Sequence, residues 1–227
     1  MTPLVIIGAG GHGRETLDIV EAINAQSSTF DFLGFVDDRC DNESLVAARG
    51  ARIIGTVDSL RGLDARYVIG VGSGKIRERL DQRLSEWGLE AAILVHPAAT
   101  LGAVVAFGPG VVVAAGARIT THVTLGRHAH INVNASVSHD CRIGNFVTVN
   151  PGVTVSGNVS IGEGTMMGAG STVIQNRTIG RWVTVGAGAV VVSDLTDGVT
   201  AVGVPARPRP AAIAVATGRV APTRQMP

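Results

Sequence analysis

The chain has no marked excess of charge and no long apolar run. Its 19 basic and 18 acidic residues leave a formal net charge of +1. This balance argues against a nucleic-acid-binding protein, because such proteins usually carry a basic surplus. No apolar stretch approaches the roughly 18 residues that a membrane span needs. The sequence therefore predicts that neither nucleic acid nor a membrane is a partner.

Cysteine and aromatic residues are also scarce. The two cysteines are Cys40 and Cys141, and we expect both to be reduced thiols of a cytoplasmic protein. The sequence opens on an apolar strand pattern, Leu4 to Ile7, with no basic segment before it, so no signal peptide is expected. Aromatic residues make up 4% of the chain, whereas glycine occurs 30 times. This composition favours a narrow fold with tight corners.

A repeat of six residues runs through the second half of the chain, where seventeen positions spaced six apart are all apolar. They are Val95, Leu101, Phe107, Val113, Ile119, Leu125, Ile131, Val137, Ile143, Val149, Val155, Ile161, Met167, Val173, Ile179, Val185 and Val191. A period of six fits neither a helix nor an alternating strand. It is typical of a left-handed parallel β-helix, in which each hexapeptide forms one flat face and three hexapeptides form one coil.

The repeat also predicts which residues stack on one another. Residues 18 positions apart should lie about 4.8 Å apart, the spacing of neighbouring strands. Thr121, His139 and Gly157 then form one column, in which His139 lies below a residue without a side chain. Asn132 falls below Asn150, where we expect an amide ladder.

Residues 1–95 alternate strand and helix patterns, which predicts a small Rossmann-like α/β domain with a parallel sheet and right-handed crossovers. Strands are expected at Leu4 to Ile7, Phe32 to Val36, Arg52 to Ile54 and Tyr67 to Val71, and Ala92 to Val95 is expected to close the domain.

The pair His96-Pro97 marks the predicted domain boundary, since proline disfavours regular structure on either side. We expect a β-helix domain over residues 96–205. The remaining segment, 206–227, is rich in proline and has no acidic residue, which predicts a mobile tail.

Two glycine-rich loops follow predicted strands. Gly8 to Gly13 matches the pattern G-x-G-x-x-G, whose glycines let a phosphate approach the backbone and the N-terminus of the next helix. The second loop begins at Gly72, and Lys75 and Arg77 after it are expected to meet phosphates.

A dinucleotide-binding dehydrogenase would need two mononucleotide-binding halves, and this domain is too short for both. We therefore expect half a site, which holds one nucleotide. Asp37 and Asp38 end the second strand, where a carboxylate often binds a ribose. Glycines that serve only tight turns remain the alternative.

The repeat region contains four histidines, namely His122, His128, His130 and His139. No pair among them has the spacing of the zinc-ligand pair of a hydratase known on this fold, so we expect no metal. A surface or interface role is the default for any one histidine. His139 differs because Asp140 follows it and Gly157 overlies it. It could act as a general base, with the Gly157 amide stabilising an oxyanion.

Five segments of the sequence resemble those of one known family. They are Gly8 to Gly13, Val36 to Asp38, Val137 to Gly144, Ser156 to Gly162 and Gly203 to Ala206. Together they resemble the sialic-acid O-acetyltransferase and nucleotide-linked amino-sugar N-acetyltransferase family, which includes bacillosamine-pathway and perosamine N-acetyltransferases. The resemblance extends from residue 1 to about residue 207.

The resemblance implies a homotrimer of parallel β-helices with acetyl-CoA in the grooves between neighbours and a nucleotide sugar on the N-terminal domain. His139 matches the catalytic base of the family and Asp140 the acid that orients it. Thr148 stands where some relatives carry a second histidine. The positions expected at acetyl-CoA are Gly157, Gly168, Ala169, Gly186 and Ala187. The positions expected at the nucleotide sugar are Gly10, Gly11, His12, Asp37, Asp38, Gly72, Lys75, Arg77 and Asn132.

These features predict an acetyl-CoA-dependent N-acetyltransferase that acts on the amino group of a nucleotide-linked amino sugar by direct attack on the thioester. Acetyl-CoA is expected as co-substrate, without a metal. Two alternatives remain: a sugar O-acetyltransferase of the sialic-acid type, and a trimer that binds sugar nucleotides without catalysis.

Overall fold

The computed structural model describes residues 1–39 and 41–209. Cys40 and residues 210–227, which make up most of the predicted tail, lie outside the described residues. Within the described ranges, no helix has both the length and the apolar character required to cross a membrane.

The N-terminal domain is a small parallel α/β sheet, as predicted. Its elements are β1 (Thr2–Ile7), α1 (Gly11–Gln26), β2 (Phe30–Val36), α2 (Glu43–Ala47), β3 (Ile53–Gly55), a 3-10 turn (Val57–Leu60), β4 (Arg66–Ile69) and α3 (Gly74–Glu86). The strand order is β3-β2-β1-β4, and every pair is parallel. From β1 the chain forms β2 and β3 on one side of that strand, and then crosses back to form β4 on its other side. The loops after β1 and β4 therefore lie side by side, at a position where open α/β sheets bind ligands.

The second part of the chain is a solenoid of short strands. They are β5 (Leu94–Val95), β6 (Thr100–Leu101), β7 (Val105–Phe107), β8 (Val112–Val113), β9 (Arg118–Ile119), β10 (Val123–Leu125), β11 (His130–Ile131), β12 (Ser136–Val137), β13 (Arg142–Ile143), β14 (Thr148–Val149), β15 (Thr154–Val155), β16 (Ser160–Ile161), β17 (Met166–Met167), β18 (Thr172–Val173), β19 (Thr178–Ile179), β20 (Thr184–Val185), β21 (Val190–Val191), β22 (Thr200–Val202) and β23 (Arg207–Pro208).

These strands form three sheets, which are parallel apart from the antiparallel pair of β22 and β23. The predicted register of 18 residues holds as far as β21, whereas Thr184 of β20 pairs with Thr200 of β22, 16 residues on. Sheet 1 has the order β23-β22-β20-β17-β14-β11-β8-β5, sheet 2 the order β21-β18-β15-β12-β9-β6, and sheet 3 the order β19-β16-β13-β10-β7. Ile131 pairs with Val149 and Val137 with Val155, each 18 residues on. We call the turns from sheet 1 to 2, 2 to 3 and 3 to 1 corners A, B and C. In one coil they comprise residues 132–135, 138–141 and 144–147.

Two expectations about the domain ends differ from the structure. Leu94–Val95 was expected to close the N-terminal domain but pairs with Val112–Val113 as the first strand of sheet 1. Within the predicted tail, Ala206 is buried and Arg207–Pro208 pairs antiparallel with β22. Strand patterns of two residues do not reveal their partners, because pairing depends on the rest of the fold.

The three sheets enclose a triangular prism, whose interior is filled by two columns of side chains. The sequence pattern revealed one of these columns. From Val113 to Val191 every predicted apolar position is buried, whereas Leu101 near the open first coil is 43% exposed. The second column lies two residues before the first and consists of small side chains. Its fully buried members include Val111, Ala117, Ala129, Ala135, Cys141, Val147, Val153, Thr165 and Ser171.

The glycine that often follows an apolar position prevents a clash with the next coil. A Cβ atom at Gly144 would lie 2.8 Å from the Glu163 nitrogen, and one at Gly168 would lie 2.5 Å from the Ala187 nitrogen. Real Cβ atoms do not approach backbone so closely. The repeat therefore uses glycine where successive coils pack most tightly.

Arg77 of α3 joins the two domains. Its side chain is fully buried, and its guanidinium donates to the carbonyl oxygens of Val71 and Gly72 in its own domain and to those of His128 and Phe146 in corner C. Burial lowers the pKa of Arg77 to about 9, which leaves the group charged at neutral pH. The guanidinium thus satisfies backbone acceptors that the interface shields from water.

Asp81, one turn further along α3, forms a second interdomain contact. Its carboxylate accepts from the Tyr67 hydroxyl at 2.5 Å, from Arg127 Nε at 2.5 Å, and lies 2.7 Å from His128 Nε2. Burial favours the protonated carboxyl, but the contacts with His128, Arg127 and Tyr67 outweigh it and lower the pKa of Asp81. These contacts fix α3 against corner C.

Replacing Arg77 by methionine should destabilise the fold, because several buried carbonyl oxygens lose their donor. We expect the free energy of unfolding to fall by about 3 kcal/mol, since each unpaired buried polar group costs on the order of 1–3 kcal/mol. Chemical denaturation measures the change. Arg79→Met on the same helix is the matched control, because Arg79 is exposed. Equal stability of the two variants would contradict the anchoring role of Arg77.

Candidate active site

His139 and Asp140 form an exposed pair at corner B. His139 Nδ1 lies 2.8 Å from Asp140 Oδ2, and the two side chains are 61% and 57% exposed. An ionised carboxylate can only accept a hydrogen bond, so the proton of the neutral imidazole lies on Nδ1. Nε2 is then the unprotonated nitrogen, able to accept a proton from a bound molecule.

The His139 ring lies in the space that a side chain at Gly157 would fill. A Cβ atom there would lie 2.5 Å from both Cε1 and Nε2 of the ring. The backbone holds the pair in place, because the Asp140 amide donates to the Thr121 carbonyl and the Asn158 amide to the His139 carbonyl. The predicted column of Thr121, His139 and Gly157 is thus found.

The predicted amide ladder is wrong in its location. The Asn150 side chain donates to the Met167 carbonyl at 2.8 Å instead of joining Asn132. An amide contact occurs at corner B, where Asn158 Nδ2 donates to Asn176 Oδ1 at 2.8 Å. Both asparagines have positive φ, a corner conformation that asparagine tolerates better than most residues.

The glycine loops line a cleft of about 460 Å³ at the carboxyl end of the N-terminal sheet. Its walls include Gly10, Gly11, His12, Asp37 and Gly72, all predicted at the nucleotide sugar. Close packing explains another glycine of the motif: a Cβ atom at Gly13 would lie 1.8 Å from the Gly8 carbonyl oxygen. The loop can therefore bring its backbone, and the N-terminus of α1, to a bound phosphate.

The carboxylates of Asp37 and Asp38 bond to backbone amides. Asp37 accepts from Ala9 of the glycine loop at 2.7 Å and from Arg39 at 2.9 Å. Asp38 accepts from Val57 at 2.9 Å and is not among the residues that line this cleft. Asp37 therefore braces the glycine loop.

Arg77 and Lys75 were both expected to meet phosphates, but the structure gives them other contacts. The Arg77 guanidinium is buried against carbonyl groups, so it does not reach a phosphate, which corrects the expectation for this residue. Thr148 contributes to the same contact, accepting from Arg77 at 3.0 Å and donating to the Gly72 carbonyl at 3.0 Å. Lys75 is exposed, and its Nζ lies 5.7 Å from the centre of the Trp182 ring.

His12 connects the glycine-lined cleft to a second cavity of about 190 Å³. This cavity lies between α1 and corner A, and its walls include Ile19, Asn132 and Pro151. His12 Nε2 lies 2.9 Å from Nδ1 of the fully buried His130. Asn132 and His12, which were both predicted to contact the nucleotide sugar, thus line one cavity.

The predicted acetyl-CoA positions divide between two corners. Gly168, Ala169, Gly186 and Ala187 lie at corner A of successive coils, and both alanines are exposed. Gly157 lies at corner B beside His139. Sheet 2 runs between these corners in one chain.

The glycine-lined cleft and His139 lie on different sides of the solenoid. The N-terminal domain packs on sheet 1, as shown by its core contacts with Val112 and Ala114, and on corner C. Corner B joins the other two sheets and is therefore the corner opposite sheet 1. A ligand in the cleft of one chain cannot meet His139 of that chain without passing around the prism.

Sequence reasoning missed three residues that shape these sites. Arg39 and Asn42 line the glycine-lined cleft, and their place just after the strand end at Asp37 could have indicated this. His130 gave no distinct signal, because an outward position in a strand does not show that another domain covers it. Among the described residues, no group of three histidine, cysteine or acidic side chains is arranged to hold a metal ion.

Comparisons with known proteins agree with this architecture. The family model described as the PglD N-terminal domain matches residues 3–84. GDP-perosamine N-acetyltransferase from Escherichia coli O157:H7 is 32% identical over 131 residues, which are 56% of this chain. The aligned region is 58% of that protein, so the chain spans less than two thirds of this curated relative.

Two solved structures match nearly the whole described chain. One is the acetyltransferase domain of PglB from Neisseria gonorrhoeae in complex with acetyl coenzyme A, with 35% identity and a TM-score of 0.84 over 92% of this chain and 99% of that one. The other is PerB from Caulobacter crescentus in complex with CoA and GDP-perosamine, with 34% identity and a TM-score of 0.83 over 92% of this chain and 98% of that one. At this identity and coverage, the chain belongs to the family of hexapeptide-repeat acetyltransferases that includes the PglB acetyltransferase domain and the perosamine N-acetyltransferases.

Proposed function

We propose that this chain transfers the acetyl group of acetyl-CoA to the amino group of a nucleotide-linked amino sugar. The observation that carries the proposal is the His139–Asp140 pair against Gly157, in a chain that also has a glycine-lined cleft at its N-terminal sheet. The relatives support it, since one was solved with acetyl coenzyme A and another with CoA and GDP-perosamine.

In the proposed reaction, the sugar amine attacks the carbonyl carbon of the thioester. His139 Nε2 takes the proton that the nitrogen loses, and Asp140 stabilises the resulting imidazolium through Nδ1. The Gly157 amide donates to the oxyanion. The carbon–sulfur bond then breaks, CoA leaves as its thiolate, and the proton on His139 returns to the sulfur.

We also propose that the reacting groups come from two neighbouring chains of a homotrimer. Corner A carries Asn132, Ala169 and Ala187 on the same side as the His12 cavity, whereas His139 is at corner B. A neighbour that places its corner B against this corner A would bring His139 to the nucleotide sugar, with acetyl-CoA in the groove between the two prisms. The separation of the cleft from His139 within one chain supports this arrangement.

Replacing His139 by alanine should remove the base and lower kcat by about 10²–10⁴. Release of CoA thiol, followed with purified protein, acetyl-CoA and a panel of nucleotide amino sugars, measures the rate. His122→Ala is the matched control, because His122 is an exposed histidine at the same corner one coil earlier and should leave kcat unchanged. A normal rate for the His139 variant would refute its role as base.

Replacing Gly157 by alanine should lower kcat by about 10² through displacement of the His139 ring, since an oxyanion or base group moved by about 1 Å loses that much rate. The added Cβ atom would lie 2.5 Å from the ring. Because the φ of Gly157 is not positive, alanine is compatible with the backbone and the melting temperature should change little. An unchanged kcat would show that the ring position does not matter.

Replacing Gly11 by glutamate should strongly weaken acceptor binding without unfolding the protein. A Cβ atom at Gly11 meets nothing within 4 Å, and a carboxylate at the N-terminus of α1 favours the helix but repels a diphosphate. We expect the KM of the nucleotide sugar to rise at least about 100-fold, by loss of phosphate binding at the helix end. Gly11→Ala is the control and should retain a normal KM. Normal kinetics for the glutamate variant would exclude this cleft as the phosphate site.

Mixing the Gly11→Glu and His139→Ala variants tests the shared site. At an acceptor concentration near the wild-type KM, each variant alone should have little activity. Co-refolding equal amounts should restore about a quarter of the wild-type rate, because one in four neighbouring pairs joins an intact cleft to an intact His139. No recovery, despite mixed oligomers on native mass spectrometry, would mean that each chain supplies its whole site.

Activity on hydroxyl acceptors alone would favour a sugar O-acetyltransferase. Measurable binding without CoA release would favour a non-catalytic trimer.

A further inference from the structure

We propose that His130 is a positioning residue that holds His12 neutral and in a fixed orientation at the junction of the two cavities. His130 donates a hydrogen bond from Nδ1 to Nε2 of His12. The effect of this hydrogen bond on acceptor binding rests on the proposed nucleotide-sugar activity, whereas the direction of the hydrogen bond is independent of that activity.

The direction of the hydrogen bond between the two rings follows from the groups around each of them. The nitrogens His12 Nε2 and His130 Nδ1 lie 2.9 Å apart, so one of them carries the proton that joins them. Among the described residues, Nε2 of His130 is buried without any hydrogen-bond partner. Either tautomer leaves that nitrogen unpaired, but a buried N–H group without an acceptor is rarer in proteins than a buried acceptor without a donor. A neutral His130 therefore carries its proton on Nδ1 and donates to His12.

Glu15 completes the arrangement on the other side of His12. If His12 accepts at Nε2, its own proton lies on Nδ1, which is 3.4 Å from Glu15 Oε2. If the proton of His12 were on Nε2 instead, the unprotonated Nδ1 would face that carboxylate, and two acceptors would repel each other. The buried end and the acidic end therefore favour the same direction, from His130 through His12 to Glu15.

Several charged or titratable groups face the two rings. They are Glu15 and Asp18 on α1, Arg77 on α3, His96 and His128 on the solenoid, and Asp37, Arg39 and Asp41 across the glycine-lined cleft. Burial is the main cause of the lowered pKa of His130, and Arg77 adds to it. Burial also lowers the pKa of His12, against the opposing effect of Glu15. Both rings are therefore neutral at neutral pH.

The position of His12 makes this arrangement relevant to the acceptor. His12 lines both the cleft of about 460 Å³ and the cavity of about 190 Å³ that contains Asn132. Because Glu15 and His130 occupy both ring nitrogens of His12, a bound sugar can contact only the face and the C–H groups of this ring. The phosphates are left to the amides of the glycine loop, and a neutral ring does not repel the amino group of the acceptor.

The wild-type protein tests the hydrogen-bond direction without any substrate. Long-range ¹H–¹⁵N correlation spectra of protein labelled with ¹⁵N-histidine distinguish the two tautomers. We expect both His130 and His12 to carry the proton on Nδ1 at pH 7.5, with the signals assigned by their loss in His130→Leu and His12→Leu. An Nε2–H tautomer for His130 would overturn the proposal, whether or not the protein transfers acetyl groups.

Replacing His130 tests its effect on His12. His130→Leu removes the donor, so the neutral form of His12 loses stabilisation and its proton affinity should rise about tenfold, the worth of one buried hydrogen bond. His130→Asn retains an amide donor near the Nδ1 position and should stay close to wild type. A titration curve of His12 that is the same in the leucine variant and in wild type would refute the coupling.

Steady-state kinetics on the same variants test the role in acceptor binding. We expect His130→Leu to raise the KM of the nucleotide sugar about tenfold, the worth of one buried hydrogen bond, while the KM of acetyl-CoA stays within about twofold. His130→Asn should restore the acceptor KM. An unchanged acceptor KM in a folded leucine variant would overturn the positioning role. A protein inactive in all forms, but with the expected tautomers, would refute the proposed function and leave the hydrogen-bond direction standing.

Discussion

The structure depends on the parallel backbone ladder that joins residues 18 apart. Each coil donates backbone hydrogen bonds to the next: the Asn132 amide donates to Val149, which pairs with Ile131, and the Ser138 amide donates to Val155, which pairs with Val137. From Val95 to Val191 the coils have the same length, so one register fixes all of their corners, and only the last coil, in which Thr184 pairs with Thr200, is two residues shorter. A strand that slipped by one residue in this register would turn its inward side chain to the surface. The uninterrupted repeat is therefore also what holds His139 against Gly157.

The N-terminal domain depends on this frame through a small set of buried polar contacts. Arg77 and Asp81 on α3 bind corner C, and His12 on α1 meets His130 on sheet 1. Separating the domains would cost these buried groups their hydrogen bonds, so the contacts favour one docking geometry. That geometry orients the glycine-lined cleft toward the cavity at Asn132. Domain docking thus places His12 of α1 where it lines both the cleft and this cavity.

The sequence predicted the positions of some residues in the structure well and those of others poorly, for physical reasons. Gly10, Gly11 and Asp37 were predictable because a loop and the strand end beside it share one sheet edge. Arg77 was misread because a basic residue after a glycine loop has the same pattern whether it meets a phosphate or a buried carbonyl. Only the tertiary packing shows which acceptor is nearer. The roles of His139 and Gly157 remain proposals, although their contact was predictable from the register.

The sequence alone determined the solenoid, its register, the parallel N-terminal sheet and the column that unites His139 with Gly157. These follow from local period and spacing, which a chain carries in its order of residues. Tertiary structure decided the rest: that sheet 1 carries the N-terminal domain, that Arg77 and His130 are buried, and that His139 lies opposite the cleft. These depend on which surfaces meet, and surface contacts between distant segments leave no period in the sequence.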